Sequence, residues 1–165
     1  MLVTESAQAL FGLANYKNSS KRLDGMTWGA EDLSADLGAE TNRLGDGTYT
    51  DPYRLARALC LIAAVAAEVT PIDTIFANFR DTDGLRKETL EGRRDGFTGK
   101  MAIHPDQVAA INEIYTPSAE AIAAAQQIVD AFAAAGGAGV ISLDNAMLDQ
   151  PHLKRAQRLL ARVGK

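Results

Sequence analysis

"DPYRLARALCLIAAVAAEVTPIDTIFANF", Asp51 to Phe79, decides the fold. Residues 51–69 carry a continuous apolar face behind an aspartate and a proline. That is the pattern of a helix which Asp51 caps and whose first turn suits Pro52. Residues 71–79 are rich in β-branched and aromatic side chains and predict a strand. A helix followed at once by such a strand is the repeating unit of an α/β protein.

Working outward, residues 2–4 predict a first strand, 9–20 a helix with its exit at 18–22, and 23–29 a second strand. Downstream, 82–96 read as a polar helix stopped by Gly96, and 99–105 as a fourth strand. Four consecutive strand–helix units imply a parallel sheet with right-handed crossovers. The pattern then changes to a helix over 117–137, capped by Ser118 and stopped by Gly136 and Gly137. A short strand (138–143), a turn at Asp144–Asn145 and a closing helix (150–163) follow. The organisation is an α/β body over 1–116 and a C-terminal extension, or lid, over 117–165. Four parallel strands leave two open edges, so the body is either a small open sheet or part of something larger.

The 165 residues match one ordinary domain with a real core. A net charge of −4 and the lack of a Lys/Arg stripe argue against nucleic acid as a partner. The basic run 154–162 complements the dipole at the end of the closing helix. Cys60, the only cysteine, sits in the apolar run 58–67 as a small buried thiol, which points to a cytoplasmic protein. That run is too short to span a membrane, and no secretory signal opens the chain. Dinucleotide-binding, Walker and nucleophile-elbow motifs are absent.

Carboxylates at strand ends carry the chemistry. Glu5 follows the first strand and Asp32 the second, and neighbouring strand C-termini converge on one site in α/β folds. Two carboxylates there suit a hard divalent cation such as Mg²⁺, with water and substrate oxygens completing the octahedron. The other reading of Asp32 is a cap for the next helix. Glu31 points away from Asp32 if the backbone is extended there. Asp36, Glu40 and Asp46 fall further into a loop, where solvation or capping accounts for them. Asp81 or Asp83 suits capping of the helix after the third strand. His104, before Pro105, contacts either a ligand or a loop carbonyl; no second histidine lies near enough in sequence for zinc. Asp149 is a natural N-cap with Pro151 in the first turn, and His152 reads as an exposed first-turn residue.

The blocks "TES" (4–6), "WGAEDLSADLG" (28–38), "FRDTDGL" (79–85), "GFTGKMAIHPDQ" (96–107), "TPSAE" (116–120) and "GVISLDNAMLDQPHLKRAQRLL" (139–160) occur in that order. Together they resemble the citrate lyase β-subunit-like proteins of the HpcH/HpaI aldolase and citrate lyase family, with malyl-CoA lyases as relatives. The resemblance spans essentially the whole chain, and "GAEDL" and "GKMAIHP" are its most specific parts. It implies an α/β fold that is a partial (β/α)8 TIM barrel, about its last four β/α units, with a C-terminal helical extension. It implies a Mg²⁺-dependent carbon–carbon lyase acting on a 3-hydroxyacyl-CoA-like thioester, with a small carboxylic or keto acid as the other partner. By motif, the metal ligands fall on Glu5 and Asp32, the substrate-binding positions on Ala30, Glu31 and His104, and the catalytic tail aspartate on Asp149. In relatives that aspartate approaches the active site of a neighbouring subunit.

Two departures stand out. Asn145-Ala146 replaces the family's Gly-Lys, and asparagine suits the positive-φ position of the turn. The chain also opens at what corresponds to the fifth barrel strand. No residue matches the family's early arginine, which holds the substrate carboxylate. The partners expected are therefore a second copy of the chain and a complementary N-terminal half. The alternatives are a non-catalytic fragment that self-associates, and malate-synthase-like or thioesterase activity on the same scaffold.

Overall fold

Strands and helices alternate through the first two thirds of the chain, as the Asp51–Phe79 pattern requires. The structure, a computed structural model, describes residues 1–163. It divides into two units, Met1–Tyr115 and the residues from Thr116 onward.

The first unit contains β1 (Leu2–Thr4), α1 (Ala7–Phe11), β2 (Gly25–Trp28), α2 (Ala30–Leu37), α3 (Asp51–Ala66), β3 (Thr70–Asp73), α4 (Thr82–Asp95), β4 (Gly99–Lys100) and α5 (Pro105–Tyr115). Its sheet is parallel throughout, in the order β1-β2-β3-β4. Leu2, Met26 and Trp28 pack with Ala56, Cys60 and Ala64 of α3, so the amphipathic helix buries one of its faces on the sheet. Cys60 is fully buried, and burial pushes its thiol up to about 11, as befits a core residue.

Several elements differ from the sequence expectation, each for a local reason. The helix expected over 9–20 stops at Phe11 and continues from Leu13 to Tyr16 as a 3₁₀ turn, with Gly12 as the joint. Gly29–Gly38, read as acidic loop, is helical: Gly29 is the N-cap of α2 and Gly38, at φ 66°, its left-handed C-cap. Asp36 therefore lies in α2, where its carboxylate accepts from the Ala7 N–H at 2.8 Å and holds the start of α1. Thr50, not Asp51, is the N-cap of α3; Asp51 pairs with Arg54 instead. β3 ends at Asp73 although the β-prone run continues to Phe79. The Thr74 N–H turns onto the Asp73 carboxylate at 3.0 Å, and the chain leaves the sheet there. β4 is two residues long, and Asp81 caps α4 by accepting from the Gly84 N–H at 2.9 Å.

The second unit contains α6 (Ala119–Ala134), β5 (Val140–Leu143), β6 (Ala146–Asp149) and α7 (Gln150–Leu160). Ser118 caps α6 as expected. β6 is a strand the sequence reading lacked. It pairs antiparallel with β5 across Asp144 and Asn145, which both adopt positive φ, at 48° and 62°. Two consecutive left-handed residues match the twist of a two-residue hairpin, and Asp and Asn tolerate them.

Candidate functional site

Glu5 and Asp32 emerge from adjacent strands at the same end of the sheet. Thr4 is in register with Trp28, and the Gly29 N–H donates to the Thr4 carbonyl at 3.1 Å, so Glu5 and Gly29 leave the sheet side by side. The Glu5 side chain folds across Gly29. A Cβ built at Gly29 would stand 2.7 Å from Glu5 Oε2 and 2.8 Å from Glu5 Cβ. Only glycine leaves that cradle open. Asp32 stands in the first turn of α2, whose N-cap makes no side-chain hydrogen bond. Its charge is favourable at a helix start, yet it caps nothing.

Both carboxylates are exposed, and neither is engaged by a hydrogen bond or ion pair among the described residues. The described residues hold no group of three or more His, Cys, Asp or Glu able to enclose an ion. Two unspent carboxylates that follow adjacent parallel strands suit a Mg²⁺ ion, which keeps several waters and takes only one or two protein carboxylates.

The remaining expected site residues are placed as follows. Ala30, the first residue of α2, is buried in the core. Glu31 is helical rather than extended, and its Oε1 accepts from Asn42 Nδ2 at 3.0 Å, tying α2 to the following loop. His104 lies in the loop after β4, stacked on Phe79 with ring centres 4.4 Å apart. Its Nδ1 lies 3.2 Å from the Asp106 backbone nitrogen and 3.4 Å from the Asp106 carboxylate. The guanidinium of Arg80 lies over Phe79 at 4.6 Å. No hydrogen bond or ring contact joins His104 to Glu5 or Asp32 among the described residues. In the second unit, Asp149 is the N-cap of α7 and contacts His152, which holds its carboxyl below the usual range. His152 is half-buried and partnered rather than simply exposed.

Sequence reasoning missed a buried ionic cluster behind the strand ends. Asp73, fully buried, accepts from Trp28 Nε1 at 2.9 Å, from Arg57 Nη2 at 2.9 Å and from Arg57 Nε at 3.1 Å. Lys100 Nζ lies 4.0 Å from Asp73 and 2.7 Å from Glu88, which also pairs with Arg43 at 2.8 Å. Burial alone would raise the Asp73 pKa, but Lys100, Arg57 and the indole N–H outweigh it and hold the carboxyl below its ordinary range. The signals available were a lone aspartate inside "PIDTIF" and a lone lysine in "GKMAI". Charges inside apolar strands need buried partners.

A model of the HpcH/HpaI aldolase/citrate lyase family matches residues 1–105. The chain belongs to this family. It is 36% identical over 162 residues to the citrate lyase subunit beta of Leuconostoc mesenteroides subsp. cremoris, covering 97% of this chain and 52% of that protein. It is 33% identical to the L-malyl-CoA/beta-methylmalyl-CoA lyase of Rhodobacter capsulatus, with 94% and 54% covered. The crystal structure of CitE from Mycobacterium tuberculosis with magnesium, acetoacetate and coenzyme A matches with a TM-score of 0.81 at 32% identity, covering 99% of this chain and 60% of that one. The chain thus spans about half the length of the curated relatives it matches.

Proposed function

We propose that this chain carries the metal-binding part of a Mg²⁺-dependent carbon–carbon lyase for a 3-hydroxyacyl-CoA-like thioester, working in the cytoplasm. The observation that carries the reading is a pair of unspent carboxylates after adjacent strands, Glu5 directly after β1 and folded across Gly29, and Asp32 in the first turn of α2 after β2. Relatives named as lyases, and related structures holding magnesium with acetoacetate or oxaloacetate, support it. Residues 1–116 then act as about the last four β/α units of a TIM barrel, and 117–165 as its extension or lid.

Glu5 and Asp32 would hold the Mg²⁺. The bound ion supplies Lewis-acid stabilisation of oxyanion charge on the small acid and its cleavage product. The backbone N–H groups of Ala30 and Glu31, at the start of α2, favour a carboxylate beside it. His104 meets a thioester or carboxylate oxygen, its ring stacked on Phe79. Asp149, in the second unit, serves proton transfer.

Calorimetry with Mg²⁺ tests the site. Glu5→Gln and Asp32→Asn are each expected to weaken binding at least about tenfold, the loss of one charged ligand oxygen. Unchanged affinity in both variants would sink the reading. Gly29→Ala should weaken Mg²⁺ similarly while leaving the melting temperature within a few degrees, because the new methyl displaces Glu5 rather than the core. Turnover of malyl-CoA and citramalyl-CoA tests the reaction, and a product assay with acetyl-CoA and glyoxylate separates a malate-synthase-like or thioesterase activity.

A second reading, a non-catalytic chain that self-associates, is favoured by the outward stripe Leu55, Leu59, Ile62 and Val65 on α3, each 37% or more exposed. A homo-oligomer is compatible with both readings, as is association with a complementary half. Light scattering together with the turnover assay distinguishes them: an inactive oligomer favours the second.

A further inference from the structure

Four segments leave the carboxyl ends of the parallel strands: residues 5–6, 29, 74–81 and 101–104. They open at the end of the sheet that carries Glu5 and Asp32, and Arg80 is the one Lys or Arg among them. Its side chain is exposed and makes no hydrogen bond or ion pair among the described residues. The carboxylates beside it are spent elsewhere. Asp81 accepts from the Gly84 N–H at 2.9 Å and starts α4, and Asp83 interacts with Arg86 one turn on.

What holds the guanidinium is a ring. Its central carbon lies 4.6 Å from the centre of Phe79, and the same ring stacks on His104 at 4.4 Å with a tilt of 18°. A guanidinium held on a π face keeps its N–H edge for an acceptor. The backbone on either side of Arg80 is pinned as well: the Phe79 N–H donates to Ala77 and the Asp81 N–H to Asn78, both at 3.0 Å. Gln107, 1% exposed, ties this loop to the next. Its Nε2 donates to the Phe76 carbonyl and its Oε1 accepts from the Ile103 N–H, each at 2.9 Å. Arg80, Phe79 and His104 thus form one platform, set by bonds in both loops.

We infer that Arg80 is an anion-binding residue of the strand-end site, taking the carboxylate or phosphate oxygens of a reactant while Phe79 supports it. The inference deepens the lyase reading and rests on it for the identity of the reactants. Charge supplies the reason. Two carboxylates and one Mg²⁺ sum to zero, so the metal centre gives no net attraction to reactants that are themselves anions. A small keto acid brings a carboxylate, and a coenzyme A thioester brings phosphates. A guanidinium meets either with two parallel N–H···O bonds. If Arg80 only covered the Phe79 ring, its charge would be immaterial.

Arg80→Gln removes the charge and keeps a planar group over the ring, whereas Arg80→Lys keeps the charge and loses the fork. Both should melt within a few degrees of the parent, since the side chain is exposed. Calorimetry on the full chain with Mg²⁺ uses three probes: oxaloacetate, acetyl-CoA, and S-acetylpantetheine, which lacks the nucleotide phosphates. A loss of about tenfold for oxaloacetate in Arg80→Gln assigns the carboxylate, the usual effect of one charge-assisted hydrogen bond. The same loss for acetyl-CoA, with S-acetylpantetheine unchanged, assigns the phosphates. Arg80→Lys should recover part of either loss, and added salt should narrow the gap between parent and Arg80→Gln. A folded Arg80→Gln that binds oxaloacetate and acetyl-CoA like the parent overturns the inference.

A metal-free arm separates this result from the lyase reading. In nitrogen-15 NMR the Arg80 Nε–H signal, the one lost in Arg80→Gln, should move when pyrophosphate or oxaloacetate is added without Mg²⁺. Movement in a chain that binds no Mg²⁺ overturns the lyase reading and leaves the anion site standing. A signal that neither anion moves overturns the anion site.

Discussion

Asp73→Ala is expected to destabilise the first unit by about 3–5 kcal/mol, the usual result of removing one member of a buried ion pair. The side chain is fully buried and accepts from Trp28, Arg57 and the Thr74 backbone. Its removal leaves the Arg57 guanidinium on α3 with Asp95 alone and Lys100, itself buried, with Glu88 alone. The indole N–H of Trp28 also loses the carboxylate it donates to. Urea unfolding followed by circular dichroism measures the loss; a change under about 1 kcal/mol would mean that water replaces the carboxylate. The sign with pH follows from the depressed pKa. Asp73 contributes fully above the unfolded value near 3.9, and the contribution fades as pH falls through the lower folded value. The stability gap between parent and Asp73→Asn should therefore be widest near neutrality and should narrow below about pH 4.

Gly92→Ala is expected to cost about 1–3 kcal/mol, the range for overpacking a filled core, although the same exchange in an open helix gains up to about 1 kcal/mol. Gly92 lies in α4 against the ionic cluster. A methyl there would meet the Tyr115 hydroxyl at 2.8 Å, Asp73 Oδ2 at 2.9 Å and Arg57 Nη2 at 3.3 Å. None of these atoms is a loose side-chain end. Asp73 and Arg57 hold each other, and the Tyr115 ring packs against the small cluster of Leu85, Ala110 and Ile111. Gly45→Ala serves as the control, since a methyl at Gly45 meets nothing within 4 Å, and its effect should stay within about 0.5 kcal/mol. A stabilised Gly92→Ala would show that the cluster yields.

How much of this was legible depends on how local each signal is. α3 was readable because Pro52 and the apolar period lie within the helix itself, and four parallel strands follow from alternation, although their order does not. Strand ends were not. The run from Pro71 to Phe79 is β-prone to its last residue, yet Asp73 is bound by groups 45, 16 and 1 positions away, and the strand stops there. β6 was hidden because "AMLD" has no alternation and runs straight into a proline-bearing helix, while its evidence, two left-handed residues, is conformational. At the candidate site, Glu5 and Asp32 were legible as candidates because each follows one of the first two strands in the order of the chain, and the resemblance by motif falls on the same two residues. The Gly29 cradle was not, since it depends on which residue faces Glu5 across a parallel register. The ionic cluster draws on residues from Trp28 to Lys100, with no linear motif to betray it.

Trp28 is the only tryptophan of the chain, and it stands between two centres of charge. Its indole nitrogen touches the Asp73 carboxylate, and the next peptide leads into the glycine on which Glu5 rests. One fluorophore thus overlooks both. Its emission is expected to follow protonation of the buried carboxylate in acid and, if Glu5 takes up the proposed ion, to respond to added Mg²⁺ at neutral pH. The molecule carries its own optical gauge, requiring neither label nor second chromophore.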